Sequence, residues 1–320
     1  MACFLNRVRL ENYKSIAHCD VELKNLTFLA GPNGAGKSNF LQALFVNFTF
    51  YSTRKNKAIN SDTTGDTFIR SGYDSNNCEM NGNFGIISSI HIRSKEFKFD
   101  NKTNTKPIPD PSFISYSLNT KLYSKPSEIN EDSKFLHSDG KNIFNILHRI
   151  QTTESKILKT INSFIRIITP DIEKIWILQA GGYNILQFSC KGSDTPFNAS
   201  QMSDGTLHAL GVLTAIFHAK SAGIPLIGIE EPEAGLHPAA ARVLREALIE
   251  ASEDVQIIVT SHSPDLLDSP DIDPDSILAV VRENGETKIG PIDAASRKSL
   301  SEHLFTAGEL LRMNQLEPAA

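Results

Sequence analysis

The stretch Gly31-Pro32-Asn33-Gly34-Ala35-Gly36-Lys37-Ser38 fits the pattern G-x-x-x-x-G-K-[ST], and no other part of the chain restricts the fold as strongly. The pattern needs a strand before it and a helix after it. Leu26-Thr27-Phe28-Leu29-Ala30 is an apolar, strand-like run, and Asn39 to Phe48 has the composition of a helix. Gly31, Gly34 and Gly36 let the backbone wrap round a polyphosphate with its N–H groups pointing inward. The helix N-terminus adds partial positive charge at the same spot. Lys37 is then the residue that reaches the β- and γ-phosphates, and the Ser38 hydroxyl is a ligand for Mg²⁺. Asn33, Gly34, Ala35, Gly36, Lys37, Ser38 and Asn39 are the nucleotide-contacting candidates. A chance glycine-rich turn would lack the flanking elements, so the expectation is a protein that binds a nucleoside triphosphate with Mg²⁺.

The rest of the chain can be read around that loop. Phe4–Leu10, Cys19–Leu23 and Leu26–Ala30 are expected strands, separated by turn-prone residues. From Tyr51 to about Asp139 the chain becomes rich in Asn, Ser, Thr and Lys and carries Pro107, Pro109 and Pro111. Ser52–Asn83 reads as loop or partly disordered insertion, Phe84–Ile92 with Lys95–Phe99 as a hairpin, and Phe113–Leu118 as a strand. Between Asn142 and Ile168 apolar residues fall at helical spacing, as one long amphipathic helix or two joined ones. Ile172–Gln179 and Tyr183–Cys190 are strands around Ala180-Gly181-Gly182. Helices at Thr206–Ala219 and Ala239–Ala251 then alternate with strands at Pro225–Ile229 and Gln256–Thr260, and a hairpin Ile277–Arg282/Thr287–Ile289 closes the sheet. The expected class is α/β: a P-loop core with a mostly parallel sheet, split by an insertion of short strands and long helices. The expected divisions are 1–50 and 171–320 for the two parts of the core and 51–170 for the insertion.

Three further stretches carry chemistry. The apolar strand Leu226-Ile227-Gly228-Ile229 runs into Glu230-Glu231-Pro232-Glu233. Buried strands seldom end in clustered carboxylates without a cation nearby, since repulsion and desolvation oppose it. Glu230 is the candidate metal ligand, alongside Ser38, and Glu231 the candidate general base. His262 follows the buried run Ile257-Ile258-Val259-Thr260-Ser261, at the strand end where doubly wound folds hold ligands, and is the candidate γ-phosphate contact. Ser203-Asp204-Gly205-Thr206 opens a helix; Ser203 reads equally as a plain N-cap or, with Gly205, as a second phosphate-facing element.

Taken together, these residues resemble the ABC-type ATPases of the RecF, SMC and OLD (overcoming lysogenization defect) kind, most of all the compact OLD-like ATPases of bacteria. The resemblance covers residues 4–50 and about 140–315. It rests on Gly31–Ser38, on Met202-Ser203-Asp204-Gly205-Thr206, on Ile229-Glu230-Glu231-Pro232-Glu233-Ala234-Gly235-Leu236-His237-Pro238 and on Thr260-Ser261-His262-Ser263-Pro264; Asp139-Gly140-Lys141-Asn142 is also similar. The resemblance implies a head-to-head homodimer in which ATP on one subunit's P-loop is closed over by Ser203–Thr206 of the other. It implies that the nucleotide is ATP, bound with Mg²⁺ and hydrolysed, that His262 is a switch histidine and that His237 stands at the position of the D-loop aspartate. The sequence departs from the pattern in having Glu230 at a position more often Asp, and in lacking a recognisable Q-loop glutamine.

Composition narrows the role. A formal net charge of −5 argues against a protein that coats nucleic acid by bulk charge, leaving Arg54, Lys55 and Lys57 as a local basic cluster. The four cysteines form no C-x-x-C pair, so reduced thiols are expected rather than zinc. No apolar run is long enough to span a membrane, and a cytoplasmic protein is expected. OLD-type nucleases add a Toprim domain. Asp271-Ile272-Asp273 has its Asp-x-Asp spacing, but a 320-residue chain leaves too little after His262 to build that domain, so no nuclease activity is expected of this chain. The leading expectation is an ATP-driven dimerising switch that regulates a separate effector protein in anti-phage defence. The alternative is a repair or chromosome-maintenance ATPase that contacts DNA through the insertion.

Overall fold

A computed structural model describes residues 4–55, 75–82, 85–93, 96–99, 112–123, 125–130 and 133–319. The chain divides into two compact units: residues 1–115, 224–228 and 256–320 in the first, and 116–223 with 229–255 in the second. Among the described residues no helix is long and apolar enough to cross a membrane.

The first unit is built on an eleven-stranded sheet in the order β6-β5-β4-β1-β2-β15-β14-β3-β13-β12-β7. The strands are β1 Leu5–Tyr13, β2 Ile16–Glu22, β3 Leu26–Ala30, β4 Ser75–Gly82, β5 Gly85–Arg93, β6 Glu96–Phe99, β7 Phe113–Tyr116, β12 Leu226–Glu230, β13 Gln256–Ser261, β14 Ile277–Glu283 and β15 Glu286–Pro291. Every residue of β3 and of β13 is buried, as expected of strands covered on both faces. β3 pairs in parallel with β13 on one side and β14 on the other, while β1, β2, β4, β5 and β6 form an antiparallel flank. The helix α1, Lys37–Lys55, runs past the ten residues expected and buries Phe40, Leu41, Ala43, Leu44 and Phe48.

One buried amide ties two distant parts of the sequence together in this unit. Gln256 accepts from the Leu5 backbone N–H at 2.8 Å and donates to the carbonyls of Leu5 at 2.8 Å and Lys24 at 3.0 Å. The start of β13 thus bonds both backbone groups of the fully buried Leu5 and adds a bond to the Lys24 carbonyl.

Two expectations are corrected in this unit. Part of the expected loop Ser52–Asn83 is strand β4, paired with β1 on one edge and β5 on the other. The hairpin β14/β15 does not close the sheet; it lies inside it, between β2 and β3. The proline cluster and Lys57 lie outside the described residues, as do the side chains of Arg54 and Lys55.

The second unit holds β8 Ser127–Glu128, β9 Ile172–Ala180, β10 Tyr183–Cys190 and β11 Phe197–Asn198 in a small antiparallel sheet. Its helices are α2 Ile143–Thr153, α3 Ser155–Ile168, α4 Asp204–Ala222 and α5 Pro238–Ser252. The amphipathic stretch is therefore two helices, broken at Glu154. Two side-chain amides cover the outer edge of β9. Asn162 of α3 accepts from Ile175 N–H at 2.7 Å, and Gln151 of α2 accepts from Ile177 N–H at 2.8 Å and returns a bond to the Ile177 carbonyl at 3.1 Å. Ile175 and Ile177 are two apart, so their backbone groups face the same edge, and the amides occupy places that another strand would take. α4 is buried nearly all round and ends at Gly223 with φ 79°, the left-handed stop that favours glycine.

Candidate functional site

Two strands end where the glycine loop begins, beside a third that runs past it. In register, Ala30 of β3 lies beside Ser261 of β13 and Ala279 of β14, and Gly31 N–H bonds to the Ser261 carbonyl at 3.3 Å. His262 follows Ser261 directly, so the P-loop and His262 leave the same end of one sheet. A side chain at Gly31 would strike the Val280 carbonyl, which excludes anything larger than glycine there.

The loop is held from below by a relay of three side chains. Thr287 of β15 donates to the Ala35 carbonyl at 2.7 Å. Its one proton is used there, so its oxygen must accept from Ser15, 2.7 Å away. Ser15 in turn accepts from the Asn39 amide at 2.7 Å. Thr287 also lies where a Gly36 Cβ would be, and Gly36 has φ 107°, a conformation closed to other residues. Gly34 has φ 75°, and its missing side chain faces open space. Asn39 was legible as a loop neighbour. Ser15 and Thr287 were not, since nothing in a turn serine or a strand threonine signals a partner so far along the chain.

Lys37, only 5% exposed, folds back over the loop and donates to the carbonyls of Gly31 at 2.8 Å and Pro32 at 2.9 Å. Asn33 and Ser38 are exposed, and Arg282 of β14 donates to the Gly34 carbonyl at 3.4 Å. A cradle of two left-handed glycines, an ammonium across it and a hydroxyl in the first turn of α1 fits a nucleotide phosphate chain.

The remaining candidates lie in the second unit or at its edge. β12 ends at Glu230, half-buried, and Glu231 follows at φ 46°. A left-handed glutamate costs about 1–2 kcal/mol relative to a right-handed one, so neighbouring contacts must impose it. Its carbonyl accepts two hydrogen bonds, from Ala234 N–H at 3.0 Å and from His208 Nε2 at 3.1 Å. Pro232 and Glu233 are buried, and Gly235 turns the chain at φ 74°. His237 N-caps α5, its Nδ1 accepting from Ala239 N–H at 3.3 Å ahead of Pro238.

Ser203 is the N-cap of α4, accepting from Thr206 N–H at 3.2 Å; its hydroxyl also bonds Thr206 Oγ1 at 2.8 Å. Ser203 and Asp204 are nonetheless exposed at the end of a helix whose next twelve residues are all buried. Gly205 packs so closely on Gly235 that any side chain there would strike its carbonyl. The Asp139–Asn142 stretch forms the turn into α2: Asp139 accepts from Lys141 N–H, Gly140 has φ 76°, and Asn142 bonds His137 N–H and the Phe135 carbonyl, both at 2.9 Å. Asp273 caps its own turn by accepting from Asp275 N–H, and no cluster of three or more metal-ligating side chains occurs among the described residues. Cys19 and Cys190 are free thiols.

Comparison with known proteins places this geometry. A family described as "AAA domain, putative AbiEii toxin, Type IV TA system" matches residues 101–268, and one described as "AAA ATPase domain" matches residues 4–142. The OLD nuclease of Thermus scotoductus is 22% identical over 81% of this chain and 59% of its own length. The Old nuclease of Escherichia phage P2 is 24% identical over 57% of this chain and 35% of its own. The chain thus spans about three fifths and one third of these two relatives. In fold it is similar to an SMC head bound to the C-terminal winged-helix domain of ScpA, with a TM-score of 0.65 at 14% identity, covering 89% of this chain and 96% of that one.

Proposed function

The chain belongs to the AAA ATPase family, and from that premise we propose that it is an ABC-type, Mg²⁺-dependent member that closes head to head on ATP and thereby controls a separate effector protein. That it is an ATPase follows from the family; the remainder is our reading. Mg²⁺, held by Ser38 and Glu230, would neutralise charge on the phosphates. Lys37 exchanges its bonds to the Gly31 and Pro32 carbonyls for phosphate oxygens. Glu231 takes the proton from the attacking water, and His262, at the end of β13, contacts the γ-phosphate.

The observation that carries the dimer is the exposed Ser203-Asp204 end of α4. A helix otherwise sunk in the protein leaves its N-cap serine exposed at its positive end, which suits the phosphate of a nucleotide held by a second copy. The description of the matching family, which names a putative AbiEii toxin and a type IV TA system, supports a place in a toxin-like system; the separate effector and the anti-phage role are our extension of it.

Steady-state hydrolysis tests the reading. Glu231→Gln is expected to lower kcat at least 100-fold while ATP still binds. Ser203→Arg is expected to abolish turnover with ATP affinity of the single chain retained, because the affected site belongs to the other copy. Full activity in Ser203→Arg would remove the composite site.

A further inference from the structure

The left-handed backbone of Glu231 draws attention to what holds it. One of the two donors to its carbonyl, Ala234 N–H, belongs to the same turn. The other, His208 Nε2, comes from the second turn of α4. A carbonyl can only accept, so Nε2 carries the proton, and the ring's tautomer is set by the contact. His208 is 7% exposed, and burial holds its ring below the usual histidine range, so at neutral pH it donates as an uncharged imidazole.

A second contact joins the same elements. Gly205 lies against Gly235 so closely that a side chain at Gly205 would strike the Gly235 carbonyl. Gly205 and His208 are three apart on a helix and share a face, so the first two turns of α4 grip the turn from Glu231 to Leu236 at both of its ends. Ser203 and Asp204 sit at the tip of that helix.

We infer that His208 is a positioning residue: it holds the backbone of Glu231 in its left-handed conformation and carries movement of the Ser203 end of α4 to the carboxylate. This rests on Glu231 being the general base. It also goes beyond that reading, because it names the group by which a contact made at Ser203 reaches hydrolysis at Glu231. A nucleotide engaged at Ser203 and the water activated by Glu231 belong to different sites of a dimer, so His208 links one site to the other.

The test is ATP turnover and nucleotide binding in His208→Leu and His208→Gln, beside Glu231→Gln. Leucine fills the space without donating; glutamine places an amide N–H near the former Nε2. His208→Leu is expected to lower kcat about 10- to 100-fold, the range for a displaced catalytic group, with the Kd for ATP within about twofold of the unsubstituted protein. His208→Gln is expected to recover most of the loss. Amide exchange in residues 231–236 is expected to speed up in His208→Leu. Turnover lost in Glu231→Gln but intact in His208→Leu would overturn the positioning role alone. Turnover surviving in Glu231→Gln would overturn the base assignment beneath it. Equal losses of kcat and ATP affinity, with no rescue by glutamine, would mean that His208 serves only to keep the unit folded.

Discussion

Thr287 and Gly36 share one small volume beneath the phosphate loop, and each fits only because of the other. Replacing Thr287 by valine keeps the shape but leaves the Ala35 carbonyl and the Ser15 hydroxyl without their bonds to Thr287. The expected cost is about 1–3 kcal/mol of stability, measured by urea unfolding, together with weaker ATP binding. The glycines and Lys37 were legible in the sequence because the phosphate-loop pattern is itself local, contained between Gly31 and Ser38. Thr287 was not, because its partner lies 252 residues away and threonine in a strand already has an ordinary explanation in its branched side chain. The φ of Glu231 was hidden for a related reason: the turn that forces it is closed by a histidine on another helix.

Among the elements, α4 combines two buried histidines, and that gives it a definite response to acid. His218 contacts the Lys134 carbonyl and Ser221 and lies 3.8 Å from Glu154, yet burial still outweighs these and lowers its affinity for protons, as it does for His208. Both have folded-state pKa values below the unfolded ones. Above about pH 6.5 neither state binds the proton and the histidines are neutral in their effect; below it the unfolded chain gains protons that the folded chain refuses. Unfolding free energy is therefore expected to fall as pH drops from about 6.5, and His218→Asn to flatten that slope in urea titrations from pH 7.5 to 5. Element by element, legibility followed composition. The buried strands β3 and β13 were plain from their apolar runs. β4 was not, since Ser-Asn-Asn-Cys-Glu-Met-Asn-Gly contains almost nothing that favours a strand, and pairing on both edges holds it in place. Strand order was also beyond the sequence, so the hairpin expected at the margin lies between β2 and β3.

At the scale of the whole molecule, the proposal of closure on ATP makes a prediction about mass. Glu231→Gln, which would hold ATP without spending it, is expected to sediment at twice the 35.3 kDa of one chain when ATP and Mg²⁺ are present and as a single chain without nucleotide. A single-chain mass under both conditions would count against closure, whatever the turnover. The floor of the phosphate loop has a further consequence, for biosynthesis. Gly31 packs on Val280 and Gly36 on Thr287, so the loop's support is made about 250 residues after the loop itself. At about 5–20 residues per second, a ribosome needs roughly 10–50 s to extend the chain from the loop to that support. Until then the nascent chain carries the phosphate-binding residues without the surface that shapes them, and nucleotide becomes a ligand only once Val280 and Thr287 have left the ribosome.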